Sequence, residues 1–180
     1  MRVLGAVLAG GRSSRFGSDK AAALIDGRPM LDWVIDALAP QVDDVIICGR
    51  ESPGRISVAD RPRPDLGPLG GLNAALHHAA ANGFDAVLSV PCDTPRLPAD
   101  LRAQLGEPGT GVVADGLPVV GLWPTRQHSR LDDFLASSES RSMGAWAAEA
   151  GARRIGLRDA PANVNTRADL DQLTGGKPSR

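Results

Sequence analysis

The sequence predicts a three-layer α/β/α fold built on a mostly parallel β-sheet. Short, continuous apolar runs such as 3–8 and 86–90 lack polar alternation, which is typical of strands buried on both faces. Segments with helical spacing of apolar residues alternate with these runs, and the loops between them are short. Because parallel sheets bind ligands at the carboxyl ends of their strands, the residues after each strand are the first candidates for function.

The first half of the chain shows these patterns clearly. A helix is indicated where Leu31, Val34 and Leu38 share one face, and Pro40 ends it. A second helix has leucines and alanines on one face and stops at Gly83. The predicted elements, in order, are a strand at 3–8, a helix at 30–38, strands at 45–48 and 55–59, and a helix at 69–81.

The second half continues the alternation of strands and helices. Pro98 suits the first turn of a helix, the pair Asp115–Gly116 suits a turn between strands, and Thr166 suits a helix N-cap. The predicted elements, in order, are a strand at 86–90, a helix at 98–105, strands at 112–114 and 119–123, helices at 130–136 and 143–150, a strand at 155–157, and a helix at 166–173.

The length of 180 residues predicts one domain. We expect it to span 1–174, with a smaller lobe at 115–157 and a disordered tail at 175–180. The chain has two cysteines, Cys48 and Cys92, which are too few for a disulfide framework. The opening apolar run is broken by glycines and is too short for a signal peptide or a membrane span. A cytoplasmic location is therefore expected.

The charge distribution excludes some classes of partner. The net charge is −1 and aromatic residues make up only 3% of the chain, so neither nucleic acid nor a membrane surface is an expected partner. Residues 1–28 nevertheless carry five basic side chains against two acidic ones. A local positive patch in a nearly neutral protein suits a small anionic ligand.

A glycine-rich loop follows the first predicted strand. Gly10 and Gly11 leave backbone N–H groups open to an anion, while Arg15 and Lys20 add positive charge for a polyphosphate. The loop matches neither the phosphate-binding pattern G-x-x-x-x-G-K-[ST] nor the dinucleotide pattern G-x-G-x-x-G. It therefore predicts a phosphate site of another kind.

A carboxylate follows the buried strand at 86–90, within the sequence Pro-Cys-Asp-Thr-Pro. Asp93 stands at the end of that strand between two prolines, where it would hold Mg²⁺ through one or two oxygens. The alternative is that Asp93 is the N-cap of the next helix. The glycine-rich loop favours the metal interpretation, because both strand ends would meet at one cleft.

Four motifs, spread over nearly the whole chain, carry a family resemblance. They are LAGGRSSRFGSDK at 8–20, DLGPLGGL at 65–72, PCDTP at 91–95 and NVNTRADL at 163–170. In this order and spacing they resemble the molybdenum cofactor guanylyltransferase family, within the nucleotide-diphospho-sugar transferase-like fold. Two positions depart from the family pattern. Phe16 replaces a usual methionine, and Cys48 stands where some relatives have an asparagine near the nucleotide.

The resemblance implies a set of site residues. In the GTP site, Lys20 would contact the phosphates, Asp60 the guanine, and Asp93 would bind Mg²⁺. Asn163 and Asn165 would line the pocket near the molybdopterin substrate or a second metal position. The implied nucleotide contacts are Leu8, Ala9, Gly10, Gly11, Lys20, Asp60 and Asp93.

The resemblance also implies a reaction. GTP and Mo-molybdopterin would give the guanine dinucleotide cofactor and pyrophosphate, with Arg15, Lys20 and Asp93 as catalytic residues and the 115–157 lobe over the acceptor. Molybdoenzymes and other proteins of cofactor biosynthesis are the implied partners. Two alternatives stay open: another nucleotide, such as CTP, or another phosphorylated acceptor, and a non-catalytic nucleotide-binding module that delivers cofactor. The double glycine with Asp19–Lys20 favours guanylyl transfer, and Lys20 together with Asp93 favours catalysis.

The histidines and tryptophans carry less information. His77, His78 and His128 are predicted to face solvent rather than to take part in catalysis. Trp123 and Trp146 are predicted to pack in the core.

Overall fold

The computed structural model describes residues 1–10, 23–159, 161, 164 and 169. Nine strands and five α-helices are described, joined by short loops and two 3₁₀ turns, at 39–41 and 125–127. In chain order they are β1 Val3–Leu8, β2 Leu24–Ile25, β3 Arg28–Pro29, α1 Met30–Leu38, β4 Asp44–Cys48, β5 Ser57–Val58, α2 Pro68–Ala81, β6 Ala86–Pro91, α3 Leu101–Leu105, β7 Val112–Ala114, β8 Leu117–Pro124, α4 His128–Ser137, α5 Met143–Ala150 and β9 Arg153–Ile155.

Seven of these strands form one sheet in the order β5-β4-β1-β6-β8-β7-β9. β8 runs antiparallel to β6 and β7, and the other pairs are parallel. β1 lies between β4 and β6, and Leu8 at its end is level with Cys48 of β4 and Pro91 of β6. The chain leaves β1 toward β4 and later returns to its other side as β6. The carboxyl ends of β1 and β6 therefore form the switch point of the sheet, where ligands bind in such folds.

Helices cover both faces of the sheet, so the predicted three-layer α/β/α fold is confirmed. Leu4, Ala6 and Leu8 of β1 pack in a cluster with α2, α4 and α5. Val3 and Val7, which alternate with them, pack in the opposite cluster with α1 and α3. Because β1 is buried on both faces, its sequence is continuously apolar, as the parallel-sheet interpretation requires.

A small hairpin, β2–β3, was not predicted from the sequence. Leu24–Ile25 pairs with Arg28–Pro29 across the Asp26–Gly27 turn. Both turn residues have positive φ, 51° and 78°. An Asp-Gly dipeptide between strands is a strong hairpin signal, so the sequence did contain the information. Strands of two residues are too short to show periodicity.

Several predicted boundaries differ from the structure. The strand expected at 55–59 is only Ser57–Val58, and the helix expected at 130–136 spans His128–Ser137. The helix expected at 98–105 begins at Leu101, after a turn in which the Leu101 N–H donates to the carbonyl of Pro98. The strand expected at 155–157 lies at 153–155, because it pairs with the three-residue β7 and the ladder ends where β7 ends. β8 extends to 117–124 since it pairs with strands on both sides.

The remaining expectations on domain organisation stay predictions. The segment at 115–157 supplies β8, α4, α5 and β9, and its strands belong to the same sheet as β1. The helix expected at 166–173 and the tail at 175–180 lie outside the described residues. Within the described part of the chain, every helix is too short or too polar to cross a bilayer.

Candidate functional site

The loops that follow β1, β4 and β6 meet at one edge of the sheet. The N–H of Ala9 donates to the carbonyl of Cys48 at 2.9 Å, and the N–H of Cys92 donates to the carbonyl of Leu8 at 3.2 Å. These bonds extend the ladders by one residue past the strands. They hold the start of the glycine-rich loop between the segments that lead to Gly49 and Asp93.

Gly10 lies against Gly49 and the carboxylate of Asp60. A Cβ on Gly10 would be 2.9 Å from Oδ2 of Asp60, and a Cβ on Gly49 would be 2.4 Å from the Cα of Gly10. Such distances leave no space for any side chain at either position. The glycines therefore allow the first loop, the loop after β4 and the Asp60 carboxylate to meet in close contact.

The first turn of α2 packs against the cluster formed by Gly10, Gly49 and Asp60. A Cβ on Gly70 would be 3.0 Å from the Cβ of Asp60, and one on Gly71 would be 3.1 Å from the Cβ of Cys48. The carbonyl of Gly70 also accepts a hydrogen bond from the N–H of Arg61 at 3.1 Å. The glycine pair in DLGPLGGL thus lets α2 pack directly against the segment that carries Asp60.

Asp60 is held in an electrostatically unfavourable environment. Burial raises the pKa of its carboxyl group above the ordinary value, and the nearby charge of Asp65 raises it further. Its Oδ1 is buried and accepts no hydrogen bond from any residue that the structure describes. A buried acceptor without a donor is costly, so this oxygen adds to the destabilising effect of the buried charge.

The raised pKa of Asp60 predicts a pH-dependent gain of stability on substitution. A raised carboxyl pKa means that the ionised form destabilises the fold, and this penalty grows as pH rises through the folded-state pKa. We expect Asp60→Asn to raise the Tm of the ligand-free protein at pH 7–8, and the gain to shrink toward pH 4. Melting curves of both proteins across this range measure it.

Asp65→Asn is the matched control for this prediction. It removes the neighbouring charge but leaves the buried carboxylate, and burial is the larger cause of the shift. Its effect on Tm should therefore be smaller than that of Asp60→Asn. A Tm difference between Asp60→Asn and the parent that does not depend on pH would contradict the assignment.

Asp93 follows β6 at the same edge of the sheet. Its backbone carbonyl accepts a hydrogen bond from the N–H of Val164 at 2.8 Å, and Thr94 Oγ1 donates to the carbonyl of Pro91 at 2.9 Å. The next helix begins only at Leu101, so Asp93 is not its N-cap and that alternative is wrong. A carboxylate beside a glycine-rich loop is the hard oxygen ligand that Mg²⁺ prefers, so the donor chemistry fits this ion.

The structure brings together five of the predicted site residues at this edge. Gly11, Arg15, Lys20, Asn163 and Asn165 lie outside the described residues, and their roles stay predictions. Val164, which lies between the two asparagines in the sequence, is described and is buried. The residues placed at the edge are Leu8, Ala9, Gly10, Asp60 and Asp93.

Gly49 lies in the candidate site but was not among the residues predicted for it from the sequence. It borders a cavity of about 270 Å³ next to Asp60, whose lining also includes Arg50, Glu51 and Pro64. The signal was present, since Gly49 directly follows the apolar strand 44–48. The side chain of Cys48 packs in the core on the α2 face, and burial strongly raises its thiol pKa. A contact at this strand end would therefore come from Gly49 rather than from the thiol of Cys48.

The prediction that the three histidines face solvent was wrong, because His77, His78 and His128 are all half-buried. Nε2 of His77 lies 2.8 Å from Oδ2 of Asp132. The ring of His128 is tilted by 55° relative to that of His77, with 4.9 Å between their centroids. Helix α4 packs beside α2 and covers this side chain, which the pattern of a single helix does not show. Trp123 and Trp146 are fully buried, as predicted.

Substitution of Gly49 should destabilise the fold strongly. Its φ is +82° and an added Cβ would be 2.4 Å from the Cα of Gly10, which is backbone and cannot rotate away. We expect Gly49→Ala to lower the free energy of unfolding by about 3–5 kcal/mol, from the strained φ together with the clash. Urea denaturation measures this loss.

Gly54→Ala is the matched control. Gly54 has a similar φ of +75°, but nothing lies within 4 Å of its added Cβ. It should lose only about 1–2 kcal/mol, the cost of the left-handed backbone alone. Equal losses in the two variants would mean that the contact between Gly49 and Gly10 is not close.

Comparison with known proteins agrees with this geometry. Residues 5–159 match the family model described as the MobA-like NTP transferase domain. A protein from Cereibacter sphaeroides named molybdenum cofactor guanylyltransferase is 39% identical over 182 residues, covering 95% of this chain and 94% of its own.

Solved structures show the same fold. Molybdopterin-guanine dinucleotide biosynthesis protein A from Archaeoglobus fulgidus superposes with a TM-score of 0.76 at 17% identity, covering 96% of this chain and 97% of its own. 2-C-methyl-D-erythritol 4-phosphate cytidylyltransferase from Thermus thermophilus superposes with a TM-score of 0.71 at 14% identity, covering 97% of each chain. The resemblance carried by the four motifs is confirmed: this chain belongs to the MobA-like NTP transferase family.

Proposed function

We propose that this protein is a molybdenum cofactor guanylyltransferase, which transfers GMP from GTP to Mo-molybdopterin and releases pyrophosphate. The observation that carries the proposal is the convergence of the first loop, Asp60 and Asp93 at the switch point of the sheet. Relatives of similar length that share 36–40% identity bear this name. Mo-molybdopterin and GTP are accordingly the proposed substrates, and the cytoplasm is the proposed compartment.

The first loop would bind the triphosphate. Ala9 and Gly10 lie where the backbone leaves β1, at the start of the loop whose main-chain N–H groups would bind the phosphates. Lys20 and Arg15, from the same loop sequence, would supply positive charge toward the phosphates. These groups would align the α-phosphate with the acceptor and stabilise the charge that develops on the departing pyrophosphate.

The acceptor needs little activation by the protein. Its terminal phosphate has a second pKa of about 6, so it is ionised at neutral pH and attacks without a general base. Asp93 would hold Mg²⁺ through one or two oxygens and leave the other coordination positions to phosphate and water. When bound, the ion would neutralise charge on the α-phosphate as the bond to pyrophosphate breaks. The Val164 contact would keep the Asp93 backbone in place.

Asp60 would recognise the guanine base through hydrogen bonds. Guanine carries N1–H and N2–H donors where adenine has none in the same positions, and the carboxylate of Asp60, which borders the cavity beside Gly49, would accept from them. The cavity beside Gly49 and Asp60 offers the space at this edge. A site built around such hydrogen bonds penalises a ligand that cannot make them by about 1–3 kcal/mol per unpaired buried group.

Asp60→Ala should therefore remove most of the preference for GTP over ATP. We expect the parent to bind GTP about tenfold or more tightly than ATP, since about 1.4 kcal/mol corresponds to tenfold. Calorimetric titration of both nucleotides with Mg²⁺ into parent and variant measures the ratio. If Asp60→Ala kept the GTP-to-ATP ratio of the parent, the guanine would be recognised elsewhere, for example by the loop at Gly49.

A thermal-shift panel tests the proposed function as a whole. GTP, CTP, ATP and UTP are compared with Mg²⁺, because a ligand that binds only the folded state raises the Tm. GTP should give the largest shift, and GTP with Mo-molybdopterin should release pyrophosphate. A larger shift with CTP would favour the cytidylyl alternative. Nucleotide binding without any pyrophosphate release would favour a module that delivers cofactor to molybdoenzymes.

A further inference from the structure

Three side chains outside the candidate nucleotide site converge between helices α2 and α4. His77 lies on α2, and His128 and Asp132 lie four residues apart on α4, hence on one face of that helix. One ligand atom from each residue lies within 4.8 Å of the other two. Nε2 of His77 is 2.8 Å from Oδ2 of Asp132, and the centroids of the two imidazole rings are 4.9 Å apart.

We propose that His77, His128 and Asp132 bind a divalent transition metal ion, with Zn²⁺ as the occupant. Two imidazoles and a carboxylate are typical zinc ligands, whereas Mg²⁺ and Ca²⁺ prefer oxygen alone. Zinc bonds of about 2.0–2.1 Å place tetrahedral ligand atoms about 3.3 Å apart. The His77–Asp132 separation of 2.8 Å is slightly shorter than that distance, and the other separations are at most 4.8 Å. Small side-chain rotations would therefore complete the site.

Outer contacts already orient the ligands. Fully buried Asn73 donates from Nδ2 to Oδ1 of Asp132 at 2.7 Å, which leaves Oδ2 facing His77. Oγ of Ser129 lies 3.0 Å from Nδ1 of His128 and restrains that ring. Hydrogen bonds from neighbouring residues to metal ligands commonly fix the orientation of the ligands and strengthen metal binding. A hydrogen-bonded pair between His77 and Asp132 would be complete without the imidazole of His128 beside it.

The charge on Asp132 suits a metal ligand. Burial alone would raise the pKa of its carboxyl group, but hydrogen bonds from Asn73 and His77 outweigh that effect and hold the pKa below the ordinary value. The positive charge of Arg61 acts in the same direction. The carboxylate is therefore ionised at neutral pH, which is the form that binds metal.

This cluster is separate from the nucleotide site on the same helix. Gly70, in the first turn of α2, contacts Asp60, whereas His77 lies seven residues further along, which is about 10 Å at 1.5 Å per residue. A metal at His77 would join α2 to α4, which pack on the same face of the sheet. Its expected effect is on stability rather than on the transfer reaction.

The test uses the untagged full chain, stripped with a chelator and titrated with Zn²⁺ by calorimetry. We expect one zinc ion per chain at this cluster. Zinc at a free concentration about a hundredfold above Kd should raise the Tm by about 5–10 °C. Titration with Co²⁺ provides a spectroscopic signature: visible ligand-field bands without strong thiolate absorption indicate histidine and carboxylate ligands rather than Cys48 or Cys92.

Two ligand variants and two controls decide the assignment. His77→Gln and His128→Gln should weaken zinc binding about a hundredfold or more and abolish the zinc-dependent rise in Tm. His78→Gln removes the adjacent histidine of α2, which lies outside the cluster, and should bind as the parent does. Asp93→Asn should also retain this zinc ion, which separates the cluster from the metal site of the proposed function.

His128→Gln keeps the test valid if His77→Gln folds poorly. His128 is not part of the hydrogen bond between His77 and Asp132, so its loss should leave the metal-free Tm nearly unchanged. Parent-like zinc affinity in His128→Gln would overturn the proposal. An equal loss of affinity in His78→Gln, or no zinc binding by the parent at micromolar concentration, would also overturn it.

Discussion

Asp93→Asn should lower turnover about a thousandfold or more while the protein stays folded. The amide keeps the shape of the side chain but lacks the charge that holds a hard cation, and metal stabilisation of a phosphoryl group is worth several kcal/mol in the transition state. The backbone hydrogen bond from Val164 to Asp93 does not involve the carboxylate, so the local structure should survive. Pyrophosphate release as a function of Mg²⁺ concentration measures the effect.

A melting curve and a matched variant complete this experiment. Asp100→Asn changes an aspartate that lies just before α3, away from the strand end, and should leave turnover unchanged. The metal-free Tm of Asp93→Asn should stay close to that of the parent. Unchanged dependence on Mg²⁺ in Asp93→Asn would remove Asp93 from the metal site.

Lys20→Ala should lower turnover about 10²–10³-fold, the scale expected when one charged group that stabilises a transition state is lost. Lys20 belongs to the loop sequence that follows β1, in which glycines, serines and bases outnumber apolar residues, so its contribution should be charge rather than packing. kcat and KM for GTP, measured at saturating acceptor, separate a loss of binding from a loss of chemistry.

The chain contains one other lysine, Lys177, whose substitution is the matched control for Lys20→Ala. Lys177→Ala removes the same charge from the C-terminal segment, outside the four motifs, and should leave kcat and KM unchanged. Activity of Lys20→Ala within about threefold of the parent would exclude Lys20 from the site, because a clamp on a transferring phosphate contributes far more than that. A fall of Tm in Lys20→Ala would instead indicate a structural role.

Strong local patterns explain how much of the fold could be predicted. The apolar runs of β1 and β6 and the periodic face of α1 each carry a signal within one segment, and the structure places these elements within a residue of their expected ends. β2–β3 and the shift of β9 could not be predicted equally well. The strands of the hairpin are too short to show periodicity. The extent of β9 depends on β7, which lies far from it in sequence.

The sequence by itself placed the chain in its family and located two candidate groups at strand ends, a glycine-rich loop after β1 and a carboxylate after β6. It did so because strand ends and close backbone approaches demand particular residue types. Only the tertiary structure decided that Gly49, Gly10 and Asp60 are in contact, since that contact depends on three separate loops packing together. The contact between His77 and Asp132 of α4 also depends on tertiary packing, because α2 and α4 are distant in sequence but cover the same face of the sheet. His77 was expected to face solvent, and its position between the two helices makes it a candidate ligand.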